Sequence, residues 1–157
     1  MSAAEVLTRL NVEIAAWQGL FDTLTEEEQA LVAGDADRLG PLNAAKLQQL
    51  QTVSDHARNR LSDLQLAGFS PDRAGMEAWL AKLGQRELKT RWQQLGELEQ
   101  QTQAINQRVG ALIDLRLGAT RQALNVLVHA AAGAGGGLYD TDGLAVSGLG
   151  GKPLTAA

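Results

Sequence analysis

The side chains best suited to proton transfer or metal binding near neutral pH are two histidines, His56 and His129. They stand far apart, with no second ligand at a useful spacing. Cysteine is absent, which removes a thiolate nucleophile, a thiolate metal site and a disulfide framework. Neither histidine forms a known nucleophile motif with a serine or an acid. Glu97 and Glu99 point to solvent as readily as to each other, so they make no acid–base pair. The glycines at 133, 135, 136 and 137 follow a helical run and lack a Gly-Lys-Ser/Thr sequence, so they do not cradle phosphate. Glu26-Glu27-Glu28 reads most simply as a solvated face near a helix end. These absences predict a protein without enzymatic activity, cofactor or bound metal.

What remains is suited to binding. The last long helical run, 87–131, carries Leu95, Leu98, Thr102, Ile105, Val109, Leu112, Ala119, Ala123 and Val126, mostly three and four apart and therefore on one face. Past Gly110 a second row appears: Ile113, Leu117, Leu124 and Leu127. One neighbouring helix covers one row, and a second row calls for a second partner. Either both rows close against the protein's own first two helices, or one stays partly open as a seam for a partner's amphipathic helix. Tyr139, beyond the glycines, is either an ordinary residue of a loose terminus or an anchor that buries itself in a partner's pocket. Trp17, Trp79 and Trp92 all fall on apolar faces, where packing is the expected role.

The elements that must position these residues are helical. At 157 residues the chain is long enough for one domain with a real core. Aromatics and prolines are few, while Ala, Leu, Gln, Glu and Arg dominate, a balance that favours helices over sheet. Ser2 with Glu5 three residues on makes a capping box. From there Leu7, Leu10, Ile14, Trp17, Phe21, Leu24, Glu28 and Leu31 alternate four and three apart, a coiled-coil seam broken only by Glu28. Gly34 ends that helix and Asp35 caps a single turn over 35–39. Pro41 then opens a second helix over 41–66, with Leu47, Leu50, Ala57, Leu61 and Leu64 on its buried side. Gly68-Phe69-Ser70-Pro71 is a stop and restart, with Ser70 as cap and Pro71 at the first position of a short helix. That helix carries Met76, Trp79, Leu80 and Leu83 and closes at Gly84.

The long run of 45 residues follows and would extend about 68 Å. The expected fold is therefore all-α: an elongated antiparallel helical hairpin or three-helix coiled-coil-like bundle over 1–132. A flexible, Gly-rich, disordered tail is expected over 133–157.

Net charge is −4, unevenly spread: −5 over residues 1–34, zero over 35–70, +2 over 71–131 and −1 beyond. An acidic first helix and a mildly basic last one favour packing side by side, and no basic patch is strong enough to hold nucleic acid. The N-terminal residues lack the basic start and apolar run of a signal peptide. No stretch approaches the roughly 20 apolar residues that span a bilayer. A cytoplasmic protein without direct membrane insertion is expected. Glu28 on the seam weighs against pairing with a twin along its full length, and the oligomeric state stays open.

The stretch Ile105-Asn106-Gln107-Arg108-Val109-Gly110-Ala111-Leu112-Ile113 resembles the asparagine–glycine signature of flagellar export chaperones of the FlgN type. Arg121-Gln122-Ala123-Leu124-Asn125-Val126-Leu127 and Leu138-Tyr139-Asp140-Thr141-Asp142-Gly143 are similar to that family's next two segments. Gly75-Met76-Glu77-Ala78-Trp79, Trp92 and the order of helices fit as well, so the resemblance covers nearly the whole chain. The chain departs from the pattern at Val109, where the family usually has a second asparagine before the glycine.

The resemblance implies a cytoplasmic type III secretion chaperone. Such a protein binds the C-terminal helical segments of hook–filament junction proteins, prevents their premature assembly and brings them to the export gate. By position it implies client binding at Leu112, Ile113, Leu117, Leu124 and Leu127, and export-gate docking at Tyr139. The alternative class is a structural coiled-coil scaffold or self-associating protein in which every row is closed without a client.

Overall fold

The computed structural model describes residues 1–133, with side chains to residue 130. Four helices follow one another: α1 (Ala3–Ala33), α2 (Ala36–Leu66), α3 (Arg73–Leu83) and α4 (Arg86–Gly133). Among the described residues there is no strand. The chain divides into two compact units, the first Met1–Leu112 and the second starting at Ile113 within α4. The expected loose tail lies, from residue 134 on, outside the described residues.

In the first unit α1 starts as its sequence dictates. The Glu5 amide donates to Ser2 Oγ at 3.3 Å, and the Ser2 amide donates to Glu5 Oε2 at 2.6 Å. These reciprocal bonds satisfy donors that the first helical turn leaves without partners. The Ser2 amide, and after it the Ser2 hydroxyl donating to Oε2 at 2.9 Å, hold the Glu5 carboxyl below its usual range. Gly34 closes α1 at φ 71°, a left-handed conformation that a side chain rarely tolerates.

The α1 seam is wider than its spacing predicts. Leu10, Leu24 and Leu31 are buried and the other seam residues are half-buried. A second row one residue ahead (Val6, Glu13, Leu20 and Glu27) is buried more fully than most of the expected one. The cause is that α1 faces more than one helix. Val6 and Leu10 cluster with Leu64 of α2 and with Leu88 and Leu95 of α4, while Leu20, Leu24 and Leu31 cluster with Val53, Ile105 and Val109. That order also sets direction: α2 runs against α1, and the first half of α4 runs with it.

Three expectations for α2 and α3 are corrected. α2 is continuous from Ala36 through Gly40 and Pro41, with no separate turn over 35–39. Pro41 forgoes one backbone bond inside the helix, and Asp35 at the cap position makes no side-chain cap bond. The buried side of α2 is not its leucine row, since Leu47, Leu50 and Leu61 are exposed and only Leu64 is fully buried. α3 begins at Arg73, where Asp72 accepts from the Gly75 amide at 2.7 Å and Ser70 Oγ donates to the same carboxylate at 2.9 Å. Those two bonds hold the Asp72 carboxyl below its usual range. Gly75 is required there, because a Cβ would fall 1.9 Å from the Ser70 carbonyl oxygen.

Beside the buried Val53 and Leu64, the face that α2 turns to α1 carries ion pairs. Arg60 grips Glu13 through Nε and Nη2 at 2.9 and 3.1 Å, Lys46 donates to both Glu27 oxygens at 2.9 and 3.0 Å, and Arg9 reaches Asp63 at 2.6 Å. Glu13 and Glu27 are nearly inaccessible. The Glu13–Arg60 pair lies in sequence between the two apolar clusters, with Trp17 packed against both. The Arg60 guanidinium also sits 4.9 Å from the Trp92 ring centroid and 3.9 Å from Glu99. A charge this deep costs solvation that only a full set of partners repays, so the layer fixes which turn of α2 meets which turn of α1. The acidic run therefore splits: Glu26 is exposed, Glu27 belongs to the interior, and Glu28 ties α1 to Arg108 of α4 at 3.2 Å.

Candidate functional site

The candidate residues sit on α4, whose first half shows what a covered helix face looks like in this protein. Leu88, Leu95, Thr102 and Val109 are seven apart, as are Leu98, Ile105 and Leu112. All are buried except Leu112, which is half-buried against the second apolar cluster. The one hydroxyl in this row is satisfied locally, Thr102 Oγ1 donating to the Leu98 carbonyl at 2.7 Å. At 3.6 residues per turn these seven positions span an arc of about 120°. α1, α2 and α3 together cover that arc.

In the second unit the helix continues and no described side chain is fully buried, Asn125 and Val128 being half-buried. Ile113, Leu117, Leu124 and Leu127 form the expected second row and fall within about 80° of one another. On the far side Val126 is joined by Leu115, which the sequence reading placed in neither row. These six side chains are between 37% and 70% exposed. Ala119 and Ala123 are exposed as well. From Leu115 through Val126, Ala119, Ala123, Leu127, Ile113 and Leu124 to Leu117, the apolar arc is about 200° wide. Only Arg116 and Thr120 interrupt it, and Thr120 returns its hydroxyl to the Arg116 carbonyl at 2.9 Å. The remaining strip, from Arg121 to Gln122 and about 100° wide, carries Asp114, Asn125 and His129.

The second row of the two, Ile113, Leu117, Leu124 and Leu127, is exposed among the described residues. Leu112 is the last residue of the first unit and keeps a share in its core. Ile113, Leu117, Leu124 and Leu127 share one bare face. Leu115 carried a signal that a row search misses: two residues from both Ile113 and Leu117, it stands on the opposite side of the helix. A Cβ at Gly110 or Gly118 would meet nothing within 4 Å, so neither glycine is dictated by packing. Tyr139 lies outside the described residues. Trp79 is buried and Trp17 and Trp92 are half-buried in the first unit, which accounts for all three as packing.

Nothing else among the described residues gathers chemistry. No group of three His, Cys, Asp or Glu side chains converges as a metal site would require. Glu13 and Glu99 share Arg60, and partial burial pushes the Glu99 carboxyl above its usual range. Arg60 opposes that shift and Glu13 adds to it. The pair acts as a structural brace, because Glu13 is already held by two guanidinium nitrogens. An open groove of about 1080 Å³ beside it mixes bases (Arg73, Arg86, Lys89) with acids (Glu77, Glu97, Glu99) and selects neither sign. No described helix is long and apolar enough to cross a membrane.

No significant match exists among curated proteins or among solved structures. The family model described as FlgN protein matches residues 1–147, which takes in the first unit and the whole of the candidate surface. By that match the chain belongs to the FlgN family of flagellar export chaperones.

Proposed function

We propose that this chaperone captures the C-terminal helical segments of hook–filament junction proteins on the distal part of α4, keeps them from assembling early and delivers them to the export gate. The observation that supports this reading is the bare row Ile113, Leu117, Leu124 and Leu127. A client segment that is unfolded alone gains an apolar face to fold against, and the chaperone gains cover for surface it cannot bury itself. Leu112, half-buried at the end of the first row, is assigned to the client with them. Tyr139, carried by the family resemblance, is assigned to docking on the gate, so that client and exporter are held by separate segments of one chain. The protein works in the cytoplasm, without a cofactor and without catalysis.

The test is a double substitution, Leu117→Asp with Leu124→Asp, followed by pull-down of a junction-protein C-terminal fragment. Capture is lost while circular dichroism still reports a helical protein. Undiminished capture by the variant removes the site assignment.

The bare row also suits a second reading, a self-associating coiled-coil protein that closes its surface with a twin. Mass by light scattering separates the two. The chaperone forms a heavier species on addition of the fragment, whereas a scaffold ignores it.

A further inference from the structure

The exposed arc of the second unit is too wide for one client helix, and its width says what the partner must bring. An amphipathic helix that lies on a single neighbour needs a stripe of about 100°. In the first unit α1, α2 and α3 together cover about 120° of α4. The second unit leaves about 200° bare, from Leu115 round to Leu117. A single helix seated on Ile113, Leu117 and Leu124 would leave Leu115 and Val126 in water, at 70% and 68% exposure. The polar strip from Arg121 to Gln122 sets the opposite bound, since a sleeve closing all round would strip Asp114 and Arg121 of solvent with no gain in apolar burial.

We infer that the partner of the distal α4 helix is a helical hairpin: two amphipathic segments of one client chain. One covers the row Ile113, Leu117, Leu124 and Leu127, the other covers Leu115, Ala119 and Val126, and the strip around Gly118 stays in water. The inference rests on the client-binding reading above and deepens it. The client's exported end must then carry two apolar helical faces, and a fragment with one of them binds more weakly than the pair.

The absence of native cysteine makes the test direct, because one introduced thiol reports one position. Three full-length variants are prepared: Leu117→Cys on the first row, Val126→Cys on the second, and Gly118→Cys on the polar strip, where an added side chain meets nothing within 4 Å. Maleimide labelling rates are measured for each, alone and with saturating junction protein. The hairpin predicts that Leu117→Cys and Val126→Cys each label about tenfold more slowly in the complex while Gly118→Cys is unchanged. Protection at Leu117→Cys alone overturns the hairpin and leaves client binding standing. Protection at all three positions also overturns it, in favour of a closed sleeve. No protection anywhere removes the client-binding reading itself. Slow labelling without junction protein that becomes fast on dilution assigns the surface to a second copy and overturns the proposal.

Discussion

Both halves of α4 are apolar amphipathic helix, and they meet opposite fates. Between Leu88 and Val109 the apolar rows are sealed, and from Ile113 on the same kinds of side chain lie bare. Local sequence does not explain the contrast, for even the threonines behave alike, Thr102 and Thr120 each returning a hydroxyl to the carbonyl four residues back. Length does. α4 has 48 residues, while α1 and α2 have 31 each. Among the described residues the apolar side chains of its last turns are exposed, from Ile113 to Leu127. A helix of that kind draws its stability from whatever covers it, because propensity alone is a weak support in water.

The sharpest break in the comparison comes from equal truncations in the two halves. Leu95→Ala in the sealed half should cost about 3 kcal/mol or more in denaturant unfolding. Leu124→Ala in the bare half should stay within about 0.5 kcal/mol. Next in size is the polar layer of the first unit. Glu13→Ala strands Arg60 in a nearly dry site and should cost about 3 kcal/mol, with no loss of client capture, since the bare face is untouched. A smaller effect is expected at Gly118→Ala, which should stabilise the distal helix by about 1 kcal/mol. It should slow amide exchange over 113–130 and leave unfolding of the first unit unchanged.

The smallest effect concerns Glu99. Its carboxyl is raised above the ordinary value, so its proton is held more tightly in the folded state. The stability this adds is fully present below the ordinary glutamate value of 4.5 and is lost as pH rises through the raised one. Glu99→Gln should therefore give a slight gain at neutral pH that disappears in acid, as pH-dependent thermal unfolding would show.

Much of this was legible in the residues, and the misses have separate physical causes. Caps at Ser2, Gly34 and Gly84 and the apolar face of the first half of α4 follow from local rules and appear where expected. The inner face of α2 does not, because a search for apolar periodicity passes over a seam built from charge. The signal was present in another form: Glu13 and Glu27 are fourteen residues apart, and so are Lys46 and Arg60. Two antiparallel helices with matched spacings of opposite charge can bury both pairs, the lysine and arginine stems serving as apolar filler. Leu47, Leu50 and Leu61 then face outward, against their hydrophobicity. Pro41 misled for a different reason, since the flanking helix was stable enough to continue past one missing backbone bond. At the candidate surface, Ile113, Leu117, Leu124 and Leu127 were legible as a row. Leu115 was not, because it widens the surface without extending any row.

The most direct measurement of whether the distal half of α4 lacks a partner of its own is amide hydrogen exchange over residues 113–130, in the free chain and with junction protein bound. A helix with no packed face opens readily, so the free protein should exchange there far faster than over 95–109, and binding should slow it strongly. Protection over 113–130 as strong in the free protein as in the sealed half, and unchanged by the client, would contradict the account.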